Sequence, residues 1–159
     1  MPRILFVCTA NICRSPMAGA LFRMIAAEKG VEGDWLIDTA GTWGREGMNA
    51  SEGAQAVMQA RGIDLSNHRS RIVNRGIIEA ADLVLTMESG HKEALQVEYP
   101  DLASRIYLLS EMAGGSAEIS DPIGGPLSNY EETAREIERI LREGFRRIER
   151  LAGSARQKS

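Results

Sequence analysis

The chain has 159 residues, 43% of them hydrophobic and 26% charged, and its 22 acidic and 19 basic side chains leave a net charge of -3. That length suits one domain burying about two-thirds of its unfolded surface, and the charge argues against a general nucleic-acid binder. No apolar stretch approaches the ~20 residues that span a bilayer, the apolar run at residues 4–8 is too short for a signal peptide, and two cysteines five positions apart make no disulfide framework, so a reducing cytoplasm is expected.

Strands and helices alternate along the chain. Ile4 to Val7 is continuously apolar, as in a strand buried on both faces. Met17 to Lys29 reads as a helix with Ala18, Leu21, Phe22 and Ile25 on one face and Gly30 as its stop. Trp35 to Thr39 is a second strand. Ser51 to Arg61 is a helix with Ala54, Val57 and Met58 inward, and a short helix at Ile77 to Ala81 precedes the third strand, Leu83 to Thr86. Gly90 to Val97 is helical and Ile106 to Leu109 is a fourth strand. From Tyr130 to Leu151, a long amphipathic helix sets Ala134, Ile137, Ile140, Leu141, Phe145 and Ile148 on one stripe. The alternation predicts an α/β fold: a doubly wound sheet of about four parallel strands with helices on both faces. One domain is expected over residues 1–152, with 153–159 as a frayed tail.

Between the first strand and the first helix lies Cys8-Thr-Ala-Asn-Ile-Cys-Arg14-Ser-Pro16. Pro16 suits a first helical turn and Ser15 reads as its N-cap. The loop therefore sits on a helix N-terminus, whose free N–H groups and dipole attract an anion and stabilise a thiolate. Cys8 at the loop's start can present its sulfur beneath a phosphoryl group. Arg14 at its end can grip two phosphoryl oxygens through its planar fork, with the backbone N–H groups of Thr9, Ala10, Asn11, Ile12, Cys13 and Arg14 around the rest. Asn11 tolerates a left-handed backbone and can brace the loop through its amide. A Cys-x5-Arg spacing also arises by accident in roughly one random chain in ten of this length, so the context of strand, loop and helix carries the argument.

Phe6-Val-Cys-Thr-Ala-Asn-Ile-Cys-Arg-Ser-Pro-Met17 resembles the signature of the low-molecular-weight protein tyrosine phosphatases. Later landmarks appear in that family's order: Asp38-Thr-Ala-Gly41, His68-Arg-Ser-Arg71, Ala81 to Met87, and Asp121-Pro122. The resemblance covers residues 3 to about 150. It implies a cysteine-dependent phosphatase in which Cys8 is the nucleophile, Asp121 the general acid and base, and no metal or organic cofactor takes part. It also implies phosphorylated protein as substrate and inorganic phosphate as product; the charge and the lack of a long apolar stretch already point to no nucleic acid and no membrane insertion. Taken alone, Asp121-Pro122 reads as a turn, and its chemical role rests on the resemblance. So do three supporting roles: Ser15 as the hydroxyl that hydrogen-bonds the nucleophile, and Thr39 and His68 as partners in a network with Asn11. His68 by itself reads as a surface residue, as does His91. In the resembling family the thiol matching Cys13 can trap an oxidised nucleophile as a disulfide; a small buried residue is the other reading.

Two departures from the pattern matter. Ala10 stands where the family usually has Gly, and a positive φ there would cost about 1 kcal/mol. Ile123 follows Asp-Pro where many members carry an aromatic, so the slot for a substrate ring is expected to be formed by Ile12, Trp43 and Ile123. Asp-Pro-x-Gly-Gly-x4-Tyr130 is in turn similar to the bacterial protein arginine phosphatases, which share the loop and the fold. In that branch a Thr occupies the position of Ile12. Phosphotyrosine is thus the favoured substrate and phosphoarginine the alternative. An arsenate reductase would need further cysteines downstream of Cys13, and a non-catalytic phosphoprotein-binding module would be expected to lose Cys8 or Asp121. Two histidines and two loop cysteines at these spacings make no metal site.

Overall fold

The computed structural model describes residues 1–157. Its elements run β1 (Arg3–Cys8), α1 (Arg14–Glu28), β2 (Leu36–Gly41), α2 (Glu52–Gln59), α3 (Arg75–Ala80), β3 (Leu83–Thr86), α4 (Ser89–Glu98), β4 (Ile106–Leu108) and α5 (Leu127–Gln157). The four strands form one parallel sheet in the order β2-β1-β3-β4.

Residues 4–8 of β1 are buried without a break because both faces of the sheet are covered. Ile4, Phe6 and Cys8 face a core shared with α1, α2 and α5, while Leu5 and Val7 face a second core with Ile78 of α3 and Leu95 of α4. The inward residues expected on α1, α2 and α5 are all buried. Phe22 anchors the first core: it stacks on Phe145 at 5.3 Å between ring centroids and meets Trp35 edge-on at 4.9 Å.

Three differences from the sequence expectations have physical causes. The first helix begins at Arg14 with Cys13 at its cap position, so Ser15 lies inside the first turn and is not the N-cap. Its hydroxyl is engaged by the loop instead, as described below. The last helix extends beyond Tyr130–Leu151 at both ends, and residues 153–157, expected as tail, continue it; residues 158–159 lie outside the described residues. Short 3-10 segments at Glu32–Asp34, Pro100–Arg105 and Leu109–Ala113 flank β2 and β4; runs of three to six residues are too short to show in a hydrophobic pattern. No helix among the described residues is long and apolar enough to cross a membrane.

The topology places the site. β1 has β2 on one side and β3 on the other, and the carboxyl ends of all three meet at residues 8–9, 41–43 and 86–88. Thr42 and Trp43 donate their amides to the carbonyls of Cys8 and Thr9 at 3.0 and 2.9 Å. Gly41 is required here: a Cβ on it would lie 2.5 Å from the Thr9 carbonyl oxygen.

Candidate active site

The loop from Cys8 to Arg14 is held by its carbonyls and side chains. Ser51, the cap of α2, donates its amide to the Ile12 carbonyl at 2.8 Å, and His68 Nε2 lies 2.7 Å from the Asn11 carbonyl. Since a carbonyl only accepts, that ring nitrogen carries a proton. Burial pushes the His68 pKa down from 6.5, favouring the neutral ring with its single proton on this nitrogen. The amides of residues 9–14 donate to no acceptor among the described residues, and they are the groups left to bind an anion. Asn11 has φ +60°, the one positive value outside glycine among the described residues. Ala10 is not among the positive-φ residues, so its Cβ is accommodated without strain.

Asn11 is wholly buried and both ends of its amide are used. Its Nδ2 donates to Ser15 Oγ at 2.8 Å and its Oδ1 accepts the Arg71 amide at 2.9 Å. Ser15 Oγ lies 3.0 Å from Cys8 Sγ and 3.5 Å from the Ala40 carbonyl. Because Asn11 already donates into this hydroxyl, the Ser15 proton is free for the nearer acceptor, the sulfur. The Ser15 amide approaches the same sulfur at 3.4 Å. Two donors thus face Cys8, the arrangement a thiolate nucleophile needs. Thr39 departs from expectation. It enters the network through its carbonyl, which accepts from Arg71 Nε at 3.0 Å, and its hydroxyl makes no bond to Asn11.

Arg14 is only 1% exposed, the largest fully buried side chain among the described residues. Its Nη1 donates to Glu88 Oε2 at 2.5 Å and to the Ile119 carbonyl at 2.7 Å. Its Nη2 donates to Thr9 Oγ1 at 3.2 Å and lies 3.5 Å from Asp121 Oδ2. Buried Nε has no partner. The outer edge of the guanidinium is therefore anchored, and the edge bearing Nε–H and one Nη2–H remains to grip two oxygens of one anion.

Asp121 stands on a loop pinned just before it. The wholly buried Ile119 donates its amide to the Met87 carbonyl at 2.9 Å, and Glu118 Oε1 accepts the Ser89 amide at 2.8 Å. Beyond Asp121, the turn from Pro122 to Gly125 is closed by a 3.0 Å bond and has φ +78° at Gly124, a value suited to glycine. Asp121, Cys8, Thr9 and Arg14 line one cavity of about 100 Å³, with Ile12, Trp43 and Ile123 at its mouth. Trp43 and Ile123 are 77% and 51% exposed. A larger cleft of about 620 Å³ behind the loop, between α1 and residues 62–71, contains neither cysteine nor Asp121.

Both thiols are free and buried. Burial pushes the Cys13 pKa up from 9.0, with Ser51 Oγ 3.1 Å away, so Cys13 stays protonated.

Two residues of the site carry no sequence signal. Glu88 is the direct partner of Arg14, and His91, expected at the surface, is 8% exposed with Nε2 2.9 Å from Thr9 Oγ1. The signal that finds them is register: Val7 pairs with Thr86, so the residues just after β3 flank the loop just after β1.

Comparison with known proteins agrees with this geometry. The family model for low molecular weight phosphotyrosine protein phosphatase matches residues 3–153. A protein-arginine-phosphatase of Geobacillus stearothermophilus is 38% identical, covering 87% of this chain and 90% of the relative. A probable low molecular weight protein-tyrosine-phosphatase of Ralstonia nicotianae is 36% identical over 86% of this chain and 88% of its own. The crystal structure of the low molecular weight protein tyrosine phosphatase from T. tengcongensis superposes with a TM-score of 0.87 at 37% identity, covering 92% of this chain and 99% of that one. With the family model matched over nearly its whole length, this chain belongs to the low molecular weight phosphotyrosine protein phosphatase family, whose members are hydrolases.

Proposed function

We propose that this protein hydrolyses phosphotyrosine on protein substrates through a phosphocysteine intermediate. The Cys8 thiolate attacks phosphorus, the bond from phosphorus to the leaving oxygen breaks, and Asp121 gives that oxygen a proton. Arg14 and the amides of residues 9–14 hold the equatorial oxygens as charge spreads over them. Water then attacks the phosphocysteine, Asp121 takes its proton, and the S–P bond breaks to release inorganic phosphate and the thiolate. Ser15 steadies the sulfur between the two steps, and Asn11 and His68 keep the loop in shape. The chemistry asks for a reduced thiol at Cys8, which fits work in the cytoplasm.

The observation that carries the substrate assignment is the apolar mouth. Ile12, Trp43 and Ile123 line the cavity that also holds Cys8 and Asp121. Such walls suit the two faces of a phenyl ring, and Ile12 offers no hydrogen bond to a guanidinium group. A second reading, phosphoarginine, has its own support: the Geobacillus relative is named for it, and the Asp-Pro-Ile-Gly-Gly loop is of the kind found in that branch. The contrast at residue 12 is an ethyl arm against a hydroxyl, and a single contact of this kind is worth ~1–3 kcal/mol of discrimination.

Turnover of phosphotyrosine and phosphoarginine peptides measured side by side, with Cys8→Ser as the blank, separates the readings. Faster release from phosphotyrosine is expected. Faster release from phosphoarginine would replace the first reading by the second, and release by Cys8→Ser would remove the covalent mechanism from both.

A further inference from the structure

His91 is a buried titratable group beside the site to which the proposed mechanism gives no part. Its bonds fix its state. Nδ1 accepts the Glu88 amide at 3.2 Å as part of the cap of α4, so the ring proton resides on Nε2. That Nε2–H donates to Thr9 Oγ1 at 2.9 Å. Burial first, and the Arg14 charge second, push the His91 pKa down from 6.5, in keeping with a neutral ring.

Thr9 Oγ1 accepts a second bond, from Arg14 Nη2 at 3.2 Å, and the two fill its lone pairs. The other end of the same guanidinium, Nη1, is held by Glu88 Oε2 at 2.5 Å. Glu88 and His91 are the cap and the third residue of one helix. One helix end therefore grips both terminal nitrogens of Arg14, Nη1 directly and Nη2 through the threonine hydroxyl. With both ends fixed, the guanidinium plane cannot rotate, and its Nε–Nη2 edge is presented in one orientation.

We propose that His91 is a positioning residue that sets the plane of Arg14 through the Thr9 hydroxyl, and so sets the affinity of the loop for a phosphoryl group. The proposal rests on the phosphatase reading in one respect, that Arg14 is the group that grips the phosphoryl oxygens.

The test is calorimetric titration with orthovanadate, which reports on the loop without turnover, accompanied by thermal midpoints. His91→Leu and Thr9→Val should each weaken binding about tenfold, the scale of one hydrogen bond to a charged group. The double variant should bind no more weakly than the worse single one, because both remove the same link. His91→Gln should recover binding to within about threefold, since its amide oxygen can take the Glu88 N–H while its nitrogen donates to Thr9. Losses that multiply to about a hundredfold in the double variant, or binding by His91→Gln as weak as by His91→Leu, would overturn the proposal. Should His91→Leu fail to fold, Thr9→Val and Thr9→Ser decide, since both leave the helix cap intact and only Ser keeps the acceptor. Ser within about threefold of wild type and Val about tenfold weaker support the link, and equal affinities refute it. A wild-type protein that fails to bind orthovanadate would instead sink the phosphatase reading itself.

Discussion

Arg14→Lys isolates what the guanidinium contributes, because it keeps the charge and removes the fork. A lysine ammonium at this depth can retain one or two of the anchors now held by Nη1, the Glu88 carboxylate and the Ile119 carbonyl. It cannot also present the Nε–Nη2 edge, so both hydrogen bonds proposed to hold the phosphoryl oxygens are lost. Bonds between charged partners are worth ~1.5–3 kcal/mol each, and two of them amount to ~3–6 kcal/mol. At 1.36 kcal/mol per tenfold, kcat/KM should fall by roughly a hundredfold to ten-thousandfold. Arg14 is 1% exposed and anchored to α4 and to the segment before Asp121, so some stability goes with it. Thermal midpoints separate that loss from the catalytic one. The assay is kcat/KM on a phosphotyrosine peptide, beside the inhibition constant of inorganic phosphate. A lysine variant within about threefold of wild type in both would refute the two-oxygen grip, because it would show that a point charge suffices.

Three other perturbations test separate links of the account. Asp121→Asn should slow esters of poor leaving groups far more than activated aryl phosphates, and equal slowing across a leaving-group series would strip Asp121 of its acid role. Gly41→Ala should destabilise the fold by about 1–3 kcal/mol and impair turnover, because the new Cβ meets the Thr9 carbonyl at 2.5 Å; denaturant unfolding with an unchanged midpoint would contradict the packing. His68 titrates lower in the fold than its ordinary 6.5, so the unfolded chain binds more protons just below that pH. Stability should therefore be level in this term above pH 6.5 and decline as pH falls through 6.5 toward the lower folded value. His68→Gln should show a shallower decline than wild type over that window, and identical slopes would remove His68 from the balance.

Much of the fold is legible in the sequence because its elements are strongly patterned. The unbroken run at residues 4–8 belongs to a strand covered on both faces, and the stripe from Ala134 to Ile148 is one face of a helix against that strand's core. The loop between Cys8 and Arg14 is equally legible, since a nucleophile, a fork and a helix start share nine residues. What the sequence conceals is long-range and polar. Glu88 reaches Arg14 across 74 positions, and His91 reaches Thr9 across 82; only the pairing of β1 with β3 brings them together. Ser15 shows a subtler limit. Its composition-level reading as a helix cap is reasonable, but Asn11 and Cys8 compete for the same hydroxyl and win it. Thr39 is misread for a related reason: its carbonyl, which no side-chain pattern encodes, makes the contact.

In the proposed reaction the phosphoryl group passes through the sulfur of Cys8. Acid-quenching the wild-type enzyme during turnover of a phosphotyrosine peptide, then locating the modification by peptide fragmentation, tests it most directly. One phosphoryl group on Cys8 and none on Cys13 is expected, with no adduct in Cys8→Ser. Steady turnover with no phosphorylated cysteine, or a phosphoryl group on any other side chain, would contradict it.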